Sequence, residues 1–299
     1  MHIVFGSHPF EPRQPDPAYE PEYHAAVAAR LPVHVISTES LIEEQDGDRT
    51  VRWIRAEEAE VQAIFRGYML TGEQYGLLYD SLLSRNIRLI NSPAQYEHCH
   101  YLPNYYAQIR AHTPESVWFP VEGQLDIDVL RQALVPFGNS PVVVKDFVKS
   151  EKHYWREACF IPSAADFSAA ERIVRRLLEL RGRALNIGVV IRRFVELAKV
   201  GIAGHDMPVA VEARVFVMNG KPLLANPYWT ASAEMPSAAS IAGLLTIVAS
   251  TDSNLFTMDM ARTVDGSWLI IELGDGQVAG LPPGVAPSDL FSAIANAAA

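Results

Sequence analysis

Asp259 and Glu272 flank an Asp265-Gly266 pair, and Asp-Gly set between alternating apolar residues is a strong short-range hairpin signal. A two-residue turn there sets Val264 opposite Ser267, and counting back sets Asp259 opposite Glu272 on one face, with Met258 facing Leu273 and Met260 facing Ile271 on the other. Directly opposed like charges destabilise an antiparallel pair, so this arrangement asks for a cation between the acids. A hard divalent ion with oxygen ligands, Mg²⁺ above all, suits two carboxylates. Asp275, three residues past Glu272, is a further oxygen donor within reach of such an ion. A slipped register that turns both acids to solvent is the competing reading.

Lys145 closes the apolar run Val142-Val143-Val144, where a lysine is costly unless it snorkels or meets an anion. Lys149, Ser150 and Lys152 follow, so that lysines and a hydroxyl past a buried strand can cradle phosphate; lysines at a strand end are also often simply solvated. No Walker A sequence and no GxGxxG occurs. Glu212 and Arg214 stand two apart on one strand and share a face, which taken alone is more often a surface pair. Arg66 follows Ile64-Phe65 and precedes Gly67-Tyr68-Met69-Leu70, which suits either capture of a carboxylate or phosphate or a buried structural ion pair. His98-Cys99-His100 follows Ser92-Pro93-Ala94 and reads as helix, which points the histidines in different directions and argues against a metal site. No GxSxG, no HExxH and no cysteine with an evident histidine partner supports a hydrolase of those types.

The elements that must position these residues divide in three. His2–Phe5, Val33–Ile36, Ala63–Phe65 and Ile87–Ile90 read as strands, with helices over Glu22–Arg30 and Gly72–Ser84 between them, as in an open α/β sheet over about 1–112. Residues 113–195 read as a small α+β unit. It holds the strand at Val142–Lys145, a helix opened by a capping box at Ser168–Glu171 and stopped at Gly182, and a strand from Gly188; Arg172, Arg175 and Arg176 read as that helix's solvated face. Residues 196–299 are mostly hairpins, with Val209–Val217 and Lys221–Leu224 flanking Asn219-Gly220, and a helix after Pro287.

Thirty-five acidic against 25 basic residues give a formal charge of −10, which repels nucleic-acid phosphate. No apolar run is long enough to cross a membrane, and two cysteines, Cys99 and Cys159, are too few for a disulfide framework. A cytoplasmic protein without nucleic-acid or membrane partners is the expectation.

The order of these features resembles the ATP-grasp superfamily, and within it the clade named for two arginines and a lysine. The resemblance is carried by Phe65-Arg66-Gly67-Tyr68-Met69, Leu89-Ile90-Asn91-Ser92-Pro93, Val144-Lys145-Asp146-Phe147-Val148-Lys149-Ser150, Arg193-Phe194-Val195 and Ile271-Glu272-Leu273-Gly274-Asp275-Gly276-Gln277, in that order over nearly the whole chain. It implies an ATP-grasp fold, an N-terminal open α/β domain followed by two α+β subdomains, with ATP and Mg²⁺ held between the two. By position it implies Lys145 on the α/β phosphates, with Lys149 and Ser150 beside it, and a linker of Arg193, Phe194, Val195 and Glu196 at adenine. Glu212 and Arg214 fall near ribose and phosphate, and Asp259 and Glu272 on Mg²⁺. Two departures stand out. The family's Glu-x-Asn metal motif reads Glu272-Leu273-Gly274-Asp275, which leaves Asp275 as the replacement ligand, and no glycine-rich loop follows Lys145.

The implied activity is ligation of a carboxylate, on a small molecule or a peptide, to an amine or thiol through an acyl phosphate. Arg214 and Arg66 would steady the anionic groups. Kinase-type transfer on the same scaffold and a nucleotide-binding module without turnover are the alternatives.

Overall fold

The computed structural model describes residues 1–203, 207–229 and 234–298. Four parallel strands, β1 (His2–Gly6), β2 (Val33–Ile36), β3 (Val61–Arg66) and β4 (Ile87–Leu89), form a sheet in the order β2-β1-β3-β4. Both faces of this sheet are covered. Val4, Ala63 and Phe65 pack with Tyr75 and Leu78 of helix Gly72–Leu83, whereas Ile3, Phe5 and Ile64 pack with Phe291 and Ile294 of the C-terminal helix Pro287–Ala298. Burial on both sides is why its strands read as continuous apolar runs.

The second sheet is antiparallel, ordered β5-β8-β6-β7, with β5 (Ser116–Pro120), β6 (Val142–Asp146), β7 (Phe160–Ile161) and β8 (Gly188–Arg193). Val142, Val144, Val189 and Ile191 face helices Ile127–Leu134 and Phe167–Arg181, and alternation turns Val143, Lys145 and Arg192 to the other side. Helix Phe167–Arg181 begins ahead of the expected capping box. Its N-cap is Asp166, whose carboxylate accepts from the Ala169 N–H at 3.0 Å, while Gly182 ends it at φ +45°.

The third region carries a hairpin of β9 (Lys199–Ala203) and β10 (Met207–Ala210) and a sheet ordered β12-β11-β13-β14. Its strands are β11 (Glu212–Met218), β12 (Lys221–Pro227), β13 (Leu255–Arg262) and β14 (Trp268–Asp275). The strand expected over Val209–Val217 is therefore two, broken at Val211, because its first half pairs with β9 and its second with β12 and β13. Asn219 and Gly220, at φ +50° and +75°, make the two-residue turn their types require. Among the described residues no helix is long and apolar enough to cross a membrane.

The hairpin of β13 and β14 departs from expectation twice. Thr263 pairs with Ser267 through its N–H at 2.8 Å, so the loop is the three residues Val264-Asp265-Gly266, with Gly266 at φ +91°, and Met260 faces Ile270 instead of Ile271. A bulge between Asp259 and Met260 then shifts the register back, and Asp259 faces Glu272 as the simple two-residue turn predicts. The extra residue of the bulge is Ile271, whose carbonyl accepts from Arg192 Nη1 at 2.5 Å and so joins this sheet to the second.

Candidate active site

β11, β13 and β14 alternate. Val215, Met258 and Leu273 enter the core with Cys99 and Tyr105, so Arg214, Asp259 and Glu272 stand on the other face, beside Glu212. Lys145 of β6 approaches that face, and its Nζ lies 2.8 Å from Glu272 Oε2. Arg214 grips Asp259 through two parallel bonds, Nε to Oδ1 at 2.8 Å and Nη2 to Oδ2 at 2.7 Å. The opposed acids are thus not held by bare repulsion awaiting a metal, because each has a cationic partner from the chain itself.

Burial alone would lower the pKa of Lys152, but the facing carboxylates of Glu212 and Glu272 hold it above that of a free lysine. Burial pushes Glu212 upward, opposed by Lys152. Burial also acts to raise Glu272, but Lys145 and Lys152 outweigh it and hold this carboxyl well below the usual range. Among the described residues Lys152 makes no side-chain hydrogen bond and Lys145 makes only the one to Glu272, so ammonium protons remain available to an incoming anion.

A cleft opens between the second and third sheets. One end is polar, with Lys145, Ser150, Lys152, Glu212 and Glu272, and the other is apolar, with Phe194, Val195, Leu197 and Met207. Phe194 packs edge-on against Phe160 with centroids 5.1 Å apart, and Phe160 stacks on Trp155. Past β8 the chain leaves the sheet, and the N–H groups of Val195 and Glu196 have no partner among the described residues. A flat ring with acceptors fits that end, and anionic groups fit the other.

A second cavity lies on the opposite side of Lys145 and Glu272, lined also by Met69, His100, Arg214 and Thr257. Burial lowers the His100 pKa to about 4, and its Nε2 has no hydrogen-bond partner among the described residues. Lys145 and Glu272 line both cavities. His100 sits at the end of helix Pro93–His100, as the helical reading of that stretch requires; nothing in the sequence marks the orphaned nitrogen.

The other expected residues fall elsewhere. The Arg193 guanidinium lies against Glu115 and Ser140, leaving its backbone beside the cleft. Lys149 and Glu196 are exposed and absent from the cleft wall, whereas Ser150 lines it. Asp275 lines the second cavity but stands on the opposite face of β14 from Glu272. Two strand positions further on than Leu273, it shares that residue's face, and its carboxylate accepts from Asn91 Nδ2 at 2.6 Å and the Gln277 N–H at 2.9 Å. Burial pushes Asp275 up to about 7, against those hydrogen bonds. Arg66 is 1% exposed and bound on all three nitrogens. Nε and Nη2 take Glu22 at 2.7 and 3.0 Å, and Nη1 donates to the carbonyls of Gly276, Gln277 and Ala279, each at 2.9 Å. It joins the first region to the third as a structural ion pair. Lys152 is the reverse case, a cleft-lining charge that the sequence groups only loosely with its neighbours.

The family model for the ATP-grasp domain, family 3 of the clade named for two arginines and a lysine, matches residues 136–294, more than half of the chain. Among curated proteins no sequence match is found. Solved structures are similar over nearly the full length. A RimK domain protein ATP-grasp from Sphaerobacter thermophilus is 14% identical with a TM-score of 0.61, covering 99% of this chain and 98% of the other. The ATP-grasp ligase PsnB, complexed with a phosphomimetic variant of its minimal precursor, Mg and ADP, is 16% identical with a TM-score of 0.60, covering 100% and 99%. The macrocyclase MdnC of Microcystis aeruginosa, bound with the precursor peptide MdnA, is 12% identical with a TM-score of 0.56, covering 99% and 100%.

Proposed function

The chain belongs to family 3 of the two-arginine, one-lysine clade of ATP-grasp domains, and from that premise we propose that it is an ATP- and Mg²⁺-dependent ligase that activates a peptide carboxylate and transfers it to an amine. The observation that carries this reading is that Lys145 and Glu272 line two cavities at once. A nucleotide in the first and an acceptor in the second would meet at these two side chains.

The apolar end of the cleft takes adenine, with the Val195 N–H, unpartnered among the described residues, as a donor, and Lys145 and Lys152 offset phosphate charge at the other end. Asp259 and Glu272 fit Mg²⁺ by donor type, hard oxygens on one face, and they keep lone pairs beyond those given to Arg214 and Lys145. When bound, the ion supplies charge neutralisation on the transferring phosphoryl group. Lys145 can exchange its bond to Glu272 for one to phosphate, and Glu272 with Asp259 would then hold the ion.

Arg214 lines the second cavity and, with protons left on Nη1 and Nη2 beyond those given to Gly280 and Asp259, orients the acceptor carboxylate, which attacks the γ-phosphorus, releases ADP and becomes an acyl phosphate. The amine displaces inorganic phosphate. The cavity walls of Met69, Tyr105 and Phe147 help exclude water, which would otherwise hydrolyse the intermediate. PsnB and MdnC, each solved with a precursor or precursor peptide, support a peptide as the carboxylate donor.

The test is ADP release over a panel of peptides bearing Asp and Glu side chains, run with and without hydroxylamine. Peptide-stimulated ADP release with capture of a hydroxamate is expected. A stable phosphorylated product would instead make the protein a kinase, and nucleotide binding with no ADP release under any peptide would make it a binding module.

A further inference from the structure

At the end of the parallel sheet opposite Arg66, three side chains converge that play no part in the cleft. His2 lies on β1 and His34 on β2, and because His34 pairs with Val4, two positions along from His2, both rings stand on one face of adjacent strands. Glu57 reaches them from the segment before β3. The three ligand atoms all lie within 4.8 Å of one another, with His2 Nδ1 at 2.9 Å from His34 Nε2 and 3.8 Å from Glu57 Oε1. We propose that His2, His34 and Glu57 form a binding site for a divalent transition-metal ion of the Zn²⁺ type, with its fourth position open to water.

Ligands on a tetrahedral zinc at about 2.0–2.1 Å sit roughly 3.3 Å apart; the His2–His34 and His2–Glu57 separations bracket that value, and the third pair lies within 4.8 Å. Little movement is needed to admit the ion. Two imidazoles with one carboxylate select zinc and its neighbours in the transition series over Mg²⁺ and Ca²⁺, which require oxygen donors. The donor set therefore differs in kind from the all-oxygen pair of Asp259 and Glu272.

The ligands are held before any ion arrives. The histidines are fixed by the sheet ladder, and Glu57 is fixed by its backbone, whose N–H donates to the Arg85 carbonyl at 2.9 Å and whose carbonyl accepts from Asn86 Nδ2 at 2.7 Å. His2 and Glu57 side chains are 15% and 34% exposed, so an ion has an entry path. Without metal, an N–H of one ring donates to the facing nitrogen of the other; for both nitrogens to take an ion, the donating ring would carry its proton on its other nitrogen instead. Ion binding would tie β1, β2 and the segment leading into β3 at one point.

The experiment titrates the tag-free full chain, stripped with chelator, with ZnCl₂ by calorimetry and follows the melting temperature in parallel. One equivalent should bind and raise the melting temperature, and MgCl₂ in excess should neither mimic nor displace it. His34→Gln and Glu57→Gln should each weaken zinc binding by more than about tenfold, since losing a direct ligand costs at least as much as losing a residue that merely orients one. Glu57 lies outside the sheet, so its variant keeps the test open if His34→Gln fails to fold. X-ray absorption should show imidazole scattering. Equal zinc affinity in wild type and both variants, an absorption spectrum without imidazole, or no heat and no melting shift in zinc excess would each overturn the site. Nucleotide binding should be unchanged in both variants, so this outcome is independent of the ligase reading.

Discussion

Arg66 and Lys145 are both buried cations at the end of an apolar strand, yet the structure uses them oppositely. Arg66 has every nitrogen committed to the protein, two to Glu22 and one to three carbonyls of the segment 276–279. Lys145 has one bond, to a carboxylate that is itself placed between two cavities, and beside it Lys152 has none among the described residues. Burial is the same in kind, and what differs is how much hydrogen-bonding capacity is left over. A saturated charge holds a fold together, whereas an unsaturated one facing a cavity is prepared for a ligand.

The sharpest way to break this comparison is Arg66→Ala. Removing one partner of a buried pair leaves Glu22 uncompensated and three carbonyls unmet, a loss of about 3–5 kcal/mol of stability by urea unfolding. Preserved stability with lost peptide-stimulated turnover would move Arg66 into the site. Lys145→Met should do the reverse. The apolar stem is kept, the fold survives, and ATP affinity by calorimetry falls about tenfold or more, as expected for a charge-assisted bond of about 1.5–3 kcal/mol. Unchanged ATP affinity would remove Lys145 from the nucleotide site.

Glu272→Gln should keep ATP binding in the absence of metal and reduce the additional melting shift that Mg²⁺ gives with ATP. If that shift stays intact, the metal lies elsewhere. Because Lys145 loses its partner in this variant, the ligand-free protein should also become slightly less stable, opposite to what bare repulsion between Asp259 and Glu272 would give.

Asp275 offers a test by pH. Its folded pKa of about 7 lies above its ordinary 3.8, so between these values the folded chain holds a proton that the unfolded chain has released. The contribution of this group to stability therefore falls as pH rises through that window, and the penalty is complete above it. Asp275→Asn should flatten this part of the stability profile; an unchanged slope between pH 4 and about 7 would mean that the carboxyl titrates normally. The smallest effect belongs to Arg175→Ala, which breaks only the exposed pair with Glu171 and should change stability by no more than about 0.5 kcal/mol.

These contrasts explain what can be read from the sequence. The Val142–Val144 run marks its strand and Lys145 by pattern alone, and the helix after Ser92-Pro93 is equally plain. Arg66 cannot be resolved that way, because its partner Glu22 and the carbonyls it binds are remote in the chain and no local pattern announces them. Asp275 follows Glu272 at a spacing that suggests a shared ion, but the strand pleat sends it to the face where Asn91 waits. β9 and β10 escape a reading by pattern because Lys199–Ala203 carries little apolar alternation, and the hairpin's pairing partner merges into a longer apparent strand. The acid pair is placed correctly for an incomplete reason, since the three-residue loop and the bulge are both invisible in the pattern and cancel.

That cancellation has a consequence for how such chains are aligned. A tight two-residue hairpin and a three-residue hairpin with one bulge deliver the same two carboxylates to the same place. Chains that differ in this way carry two compensating gaps, one at the tip and one beside the acid. A comparison that permits neither gap sets every residue between them against the wrong partner while the chemistry at both ends is identical, and one that permits only the gap at the tip misplaces the acid instead.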